Sequence, residues 1–361
     1  MRETNPVRTT VHDVADAAGV SVSTVSRALT GGSVSPATRA TVMAAAERLG
    51  YRPNRTARGL ITGRTGNYGL IVPDLQNPFF ADIAKGISAR ARAVDCGVFI
   101  TDTDEDVSAE LEALATLGRN TDGVLLCSPR ATDAELAEAA DPDSTVLVHR
   151  QVPGMLSISA DIAAGTRQAI DHLRALGHRR IAFLAGPDES WASAQRLTTL
   201  AEYDKTLANE EPENGKPENG KPENGKPDEP GVEILRFGSV APTFEGGVLA
   251  GDLVLASPAT AVLAYNDLVA MGLLHRLAAR GVPVPERMSV VGYDDISLAA
   301  MSHPPLTTVA VPKGRAGAAA LELLLRRVGG AGKPATTVRE REVTLPTGLV
   351  VRASSGLAPA V

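Results

Sequence analysis

The sequence predicts an α/β chain in two parts: an N-terminal three-helix head containing a helix-turn-helix, and a two-lobed core of doubly wound parallel sheets. Three observations carry this expectation. Thr10 to Leu29 reads as two short helices around a tight turn. From Tyr68 onward, short apolar strands alternate with helical stretches, the pattern of a doubly wound sheet. Charge is also split between the parts. Residues 1–62 hold eight arginines against four carboxylates, a net +4, which leaves −10 for the rest of a 361-residue chain of net charge −6. A basic head on an acidic body points to a polyanion partner for the head alone.

In the head, Thr10 can cap a first helix whose inner face is Val11, Val14, Ala15 and Ala18, with Asp13 suited to its positive end. Gly19 permits the turn, and Val20 fills the space beneath it. Ser21 can cap a second helix that turns Val25, Ala28 and Leu29 inward and Val22, Ser23, Thr24, Ser26 and Arg27 outward. Small polar side chains and one guanidinium suit a DNA major groove, where arginine can grip a guanine edge with two hydrogen bonds. Ser35-Pro36 starts a third helix that runs to Gly50 and buries Val42, Ala45, Ala46 and Leu49. Pro53 and Asn54 then open a very short basic helix, Arg55 to Leu60, too short to be stable alone. Ile61 to Asn67 follows as linker.

In the core, the expected strands of the first unit are Tyr68–Pro73, Val98–Thr101, Gly123–Leu126 and Thr145–His149, with helices Phe79–Val94, Ala109–Leu117 and Ala131–Ala140 between them. The second unit runs helix Ala164–Leu176, strand Ile181–Ala185, helix from Ser193, strand Val232–Phe237, helix Glu245–Ala256, strand Ala261–Tyr265, helix Leu268–Arg280 and strand Met288–Tyr293. Thr307–Val311 reads as a crossover strand back toward the first unit, and Ala316–Val328 as a last helix. Between residues 209 and 230 lies a low-complexity insertion, PENGK repeated three times. It has no apolar residue and proline in each unit, so it has nothing to bury.

The segment VSVSTVSRAL, with Ala15, Gly19 and Val25 in their places, resembles the helix-turn-helix of the LacI/GalR family of bacterial repressors. The phrases DLQNPFF, DTDED, LGHRRIAFLAGP, AYNDLVAMG, VPERMSVVGYDDI and HPPLTTV extend the likeness over most of residues 10–353. The resemblance implies a periplasmic-binding-protein-like core with a ligand cleft at the carboxyl ends of its strands. It implies a hinge helix in which Asn54, Ala57 and Leu60 meet DNA, Leu60 as a minor-groove wedge. It divides the chain into a DNA-binding domain (1–52), a hinge and linker (53–67), an effector-binding and dimerisation core (68–353) and a tail (354–361).

Carried over position by position, the resemblance implies effector contacts at Leu75 and Phe79, at Asp102 where many members have asparagine, and at His149, Asp161, Arg196, Asn266 and Asp294. Ile162 replaces the asparagine that usually follows Asp161. Arg196-Leu197 is followed by Thr198-Thr199-Leu200 and not by the usual glycine-aromatic pair. Pro242 replaces a ring-bearing residue and Val311 a glutamine, which makes one side of the pocket more apolar. Carboxylates with arginine and an amide suit a small sugar or sugar derivative, because hydroxyls both donate and accept.

Two function classes share such a core: a ligand-controlled transcriptional repressor on operator DNA, and a solute-binding protein that delivers ligand to a transporter. The DNA head favours the first. The opening MRETNPVRTT has no apolar signal region and no run is long enough to span a bilayer, so the expectation is a cytoplasmic protein with no membrane partner. No nucleophile–base pair, metal-ligand spacing or phosphate-cradling glycine loop marks an enzyme or a cofactor. Cys96 and Cys127 read as reduced core thiols. Only ASSGLAPAV follows Arg352, without a leucine heptad, so the expected assembly is a homodimer.

Overall fold

The computed structural model describes residues 9–29, 32–51, 64–209, 231–329 and 341–360. The hinge positions Asn54, Ala57 and Leu60 and the PENGK repeat lie outside the described residues. The chain divides into two compact units, Met1–Gly66 and Asn67–Val361.

In the first unit, helices α1 (Val11–Ala18), α2 (Val22–Leu29) and α3 (Pro36–Arg48) enclose a small core of Val14, Ala15, Val25, Ala28, Val42, Ala45 and Ala46. Thr10 and Asp13 form a reciprocal capping box at the start of α1, so two backbone N–H groups that the helix leaves unpaired are satisfied. Gly19 ends α1 at φ 65°, a left-handed backbone that costs glycine nothing. Val20 N–H then returns to Ala15 C=O at 3.1 Å, which sets the tight turn into α2. Arg39 of α3 donates to Ala28 C=O and, at 2.7 Å, to Gly32 C=O, tying α3 to the end of α2.

The second unit holds two six-stranded sheets among the described residues. The first lobe contains β1 (Asn67–Val72), α4 (Pro78–Ala93), β2 (Gly97–Asp102), α5 (Val107–Asn120), β3 (Val124–Cys127), α6 (Asp133–Ala139), β4 (Thr145–Val148) and β5 (Leu156–Ala160). The chain then crosses into the second lobe with α7 (Ile162–Ala175), β6 (Arg180–Leu184), α8 (Trp191–Asn209), β7 (Glu233–Phe237), α9 (Phe244–Leu255), β8 (Ala261–Ala264), α10 (Asp267–Ala279), β9 (Ser289–Asp294) and β10 (Thr307–Ala310). It returns through α11 (Lys313–Val328), which packs on α4, β4 and β5, and closes with β11 (Glu342–Leu345) and β12 (Gly348–Val350). Sheet order is β11-β5-β4-β3-β1-β2 in one lobe and β12-β10-β9-β8-β6-β7 in the other. The lobes thus share one topology, with β11 parallel to β5 and β12 antiparallel to β10.

Helices cover both faces of each sheet, so central strands such as β1 and β8 are apolar along nearly their whole length. The strand at Thr307 lies within the second sheet, and the crossover to the first lobe follows it, between Val311 and α11. β5, β11 and β12 are elements that the alternation pattern misses. In β5, Ser157 and Ser159 mimic the polar half of an exposed segment, yet both are buried. Gly86 of α4 lies so close to α11 that a Cβ there would meet Gly314 C=O at 2.1 Å. Residues after Arg352 are stitched into the second lobe and do not trail away as a tail. Ser354 Oγ donates to Val290 C=O at 2.6 Å and accepts from Thr307 N–H at 2.7 Å.

Candidate functional site

In the head, α2 presents Ser23, Ser26 and Arg27 to solvent. Ser21 caps the helix by accepting Thr24 N–H at 3.2 Å. Arg27 folds back along the helix, with Nε donating to Ser23 C=O at 3.3 Å and Nη2 to Thr24 Oγ1 at 3.4 Å. These are long bonds that exchange readily for a better acceptor. Val22 differs from expectation. It is half-buried against the head core, because 22, 25 and 29 form one apolar row at helical spacing. Thr24 is also half-buried.

In the second unit, a cleft partly open to solvent lies between the lobes at the carboxyl ends of both sheets. The first lobe contributes Phe79, Phe80, Ser128, Arg130 and His149, and the second contributes Ala192, Arg196, Tyr265, Asn266 and Asp294. Asn77 caps α4 by accepting Phe79 N–H at 3.0 Å, which sets the Phe79 ring 5.1 Å from the His149 ring. Asn266 caps α10 through Oδ1, and its Nδ2 donates to Pro242 C=O at 2.8 Å. Arg196 is buried over the Tyr293 ring, 3.6 Å from its centroid, and donates through Nη1 to Tyr265 C=O at 2.6 Å. Arg196 Nε and His149 Nε2 are buried without a hydrogen-bond partner among the described residues. Arg150 Nε and Ser157 Oγ, on residues outside the cleft lining, share this condition.

The electrostatics divide the site. Burial pushes the Asp294 carboxyl up to about 7 against the pull of Arg196 and Lys313. Burial, with the positive charges of Arg196 and Lys313, brings His149 down to about 4, so the imidazole is neutral at neutral pH. Behind Asp294, burial and then the Asp294 charge hold Asp267 well above the ordinary carboxylate range. Asp267 accepts from Thr308 Oγ1 at 2.5 Å and from Ile296 N–H at 2.8 Å. Lys313, on the first-lobe helix α11, donates to Asp294 C=O at 2.6 Å and Asp295 C=O at 2.7 Å, so it ties the end of β9 to the other lobe.

Five of the eight effector positions expected from the sequence therefore line this cleft: Phe79, His149, Arg196, Asn266 and Asp294. Leu75, Asp102 and Asp161 do not. Asp102 is exposed, and its carboxylate is spent on Leu75 N–H at 2.9 Å and Asp104 N–H at 3.0 Å. Leu75 is exposed in the loop between β1 and α4, and Asp161 caps α7 by accepting Ala164 N–H at 2.9 Å. Pro242 and Val311 line the cleft, as expected of an apolar side. Arg130 and Glu105 were missed: one lies in a loop and the other after a strand, with no local spacing to join them.

Residues 10–54 match the family described as bacterial regulatory proteins, lacI family. Residues 65–206 match periplasmic binding proteins and sugar binding domain of LacI family, and residues 170–355 a periplasmic binding protein-like domain. The HTH-type transcriptional regulator DegA of Bacillus subtilis is 30% identical over 97% of this chain and 98% of its own. The chain belongs to the LacI family of bacterial regulatory proteins. As a LacI-family member it is a DNA-binding transcriptional regulator and not an enzyme. The structure of the Lac repressor dimer bound to operator and the anti-inducer ONPF matches with a TM-score of 0.77 and 27% identity, covering 97% of this chain and 99% of that one. A complex of the transcriptional regulator CelR with cellobiose matches with a TM-score of 0.65 and 31% identity, covering 96% of this chain and 100% of that one. Among the described residues no helix is long and apolar enough to cross a membrane, and no cluster of three or more His, Cys, Asp or Glu could hold a metal ion.

Proposed function

We infer that this chain is a cytoplasmic repressor that binds a palindromic operator as a homodimer and is controlled by a small sugar-like effector in the inter-lobe cleft. The observation that carries the reading is a cleft lined from one lobe by His149 and from the other by Arg196, Asn266 and Asp294, in a chain with a helix-turn-helix head. These residues come from different lobes, so a ligand that touches both sides favours one lobe angle over another, and that angle is what the head would sense. Ser23, Ser26 and Arg27, with the half-exposed edge of Thr24, make the major-groove surface in this reading, and Val22 supports it from the head core. Asn54, Ala57 and Leu60 make the hinge contacts, within a hinge and linker at 53–67. The named ligands of relatives, cellobiose for CelR and operator for the Lac repressor, agree with it.

Dimerisation has its own support. β2 is an edge strand that exposes Phe99 (52%) and Ile100, and α9 exposes Leu249 (79%) and Leu253. Exposed apolar edges of this kind are normally covered. A selection from random duplex DNA with the full chain tests the reading. It should enrich a palindrome, and light scattering should give twice the chain mass. Enrichment of no sequence, or of a non-palindromic one by a monomer, contradicts it.

A further inference from the structure

The first-lobe wall of the cleft carries an ion pair that the repressor reading does not use. Arg130 is 5% exposed and lines the cleft. Its Nε and Nη2 are held by the two carboxylate oxygens of Glu105, the second at 3.0 Å, and its Nη1 donates to Ser128 C=O at 2.7 Å. The mount is rigid. Buried Glu110 of α5 accepts Arg130 N–H at 2.9 Å and Ala131 N–H at 3.1 Å from below the loop. Glu105 holds a left-handed backbone at φ 62° with its N–H on Pro73 C=O at 2.8 Å. A guanidinium has five N–H donors, and these bonds use three, so two remain beside a carboxylate that still has lone pairs.

We propose that Arg130 and Glu105 form a preformed donor–acceptor fork in the first-lobe wall of the cleft, and that this fork selects an uncharged saccharide that presents a pair of neighbouring hydroxyls to it. This rests on the effector reading above and narrows it. A hydroxyl accepts from a guanidinium and donates to a carboxylate at once, so adjacent hydroxyls match a paired arginine and glutamate. A phosphate or carboxylate does not. To reach Arg130 it must displace Glu105 or lie beside its negative charge, and His149 in the same lining is a neutral imidazole. The apolar sides offered by Phe79, Pro242 and Val311 suit the carbon face of a sugar ring.

The test is calorimetry and thermal melting on the full chain with neutral pentoses, hexoses and disaccharides, together with the phosphates and uronic acids of the same sugars. The expected result is a neutral sugar that binds and raises the melting temperature, with its charged counterparts at least tenfold weaker. Glu105→Gln should then weaken the neutral sugar about tenfold and shift preference toward the uronate, because Arg130 is left uncompensated. Arg130→Lys, which keeps the charge but loses the fork, should weaken the neutral sugar without that shift. A wild-type preference for the charged sugars, or unchanged affinity and preference in both variants, overturns the inference and leaves the effector reading intact. Binding by no sugar, neutral or charged, overturns the effector reading and the inference with it.

Discussion

Asp294→Asn should stabilise the unliganded core at neutral and alkaline pH while impairing effector binding. Asp294 is buried at the end of β9, and burial pushes its carboxyl up from the ordinary aspartate range to about 7. A raised acid pKa means that the folded state holds its proton more tightly than the unfolded chain. Below about pH 4 both states are protonated and nothing is lost. Between about pH 4 and 7 the unfolded carboxyl ionises and the folded one does not, so stability falls with pH, and above 7 the loss is constant. At about 1.4 kcal/mol per pKa unit, the full loss is on the order of 4 kcal/mol. Asparagine imitates the protonated acid and cannot ionise, so it recovers that loss. At about 2 °C per kcal/mol for a large domain, the variant should melt up to about 8 °C higher at pH 8. The gain should vanish at pH 4. The assay is thermal unfolding of the full chain, wild type and variant, from pH 4 to 8.5. An equal melting temperature at pH 8, or a gain of the same size at pH 4, refutes the reasoning.

Two further outcomes follow from the same structure. Arg27→Ala removes the exposed guanidinium of α2, and the loss of a bidentate guanine contact costs about 1–3 kcal/mol per half-site, so operator preference over random DNA should collapse in a fluorescence-anisotropy titration while the melting curve of the core is unchanged. Glu110→Ala strands the Arg130 and Ala131 N–H groups, at about 1–3 kcal/mol each, so the core should melt several degrees lower; a melting temperature within a degree of wild type would show that the loop does not depend on this carboxylate.

Much of the fold was legible because its signals are local. Thr10, Gly19 and Ser35 are chain punctuation whose effect is spent within a few residues, and alternating apolar strands and helices announce a doubly wound sheet. β5 escaped because it is only five residues long and two of them are serines, which read as solvated although both are buried. Within the cleft, Asn266 and Asp294 stood out through motifs at strand ends, and Arg196 through a motif on a helix. Asp102 and Asp161 stood out as well, but a carboxylate at a strand end serves equally well to accept backbone N–H groups: Asp102 takes those of Asp104 and Leu75, and Asp161 caps α7. Arg130 and Glu110 were hidden for the converse reason. A charged residue in a loop or on a helix reads as solvated, and here 20 residues of chain separate two partners that only the sheet brings together.

The central claim is that the cleft and the head are energetically coupled. The direct measurement is a closed cycle on the full chain: operator affinity with and without a saturating bound sugar, and sugar affinity with and without saturating operator. Linkage requires the two ratios to be the same, and couplings of this kind run to about 1–3 kcal/mol, a factor of roughly 5 to 150. The account predicts equal ratios in that range, reduced to unity by Arg196→Ala. Operator affinity that is the same with and without a sugar bound in the cleft would contradict it.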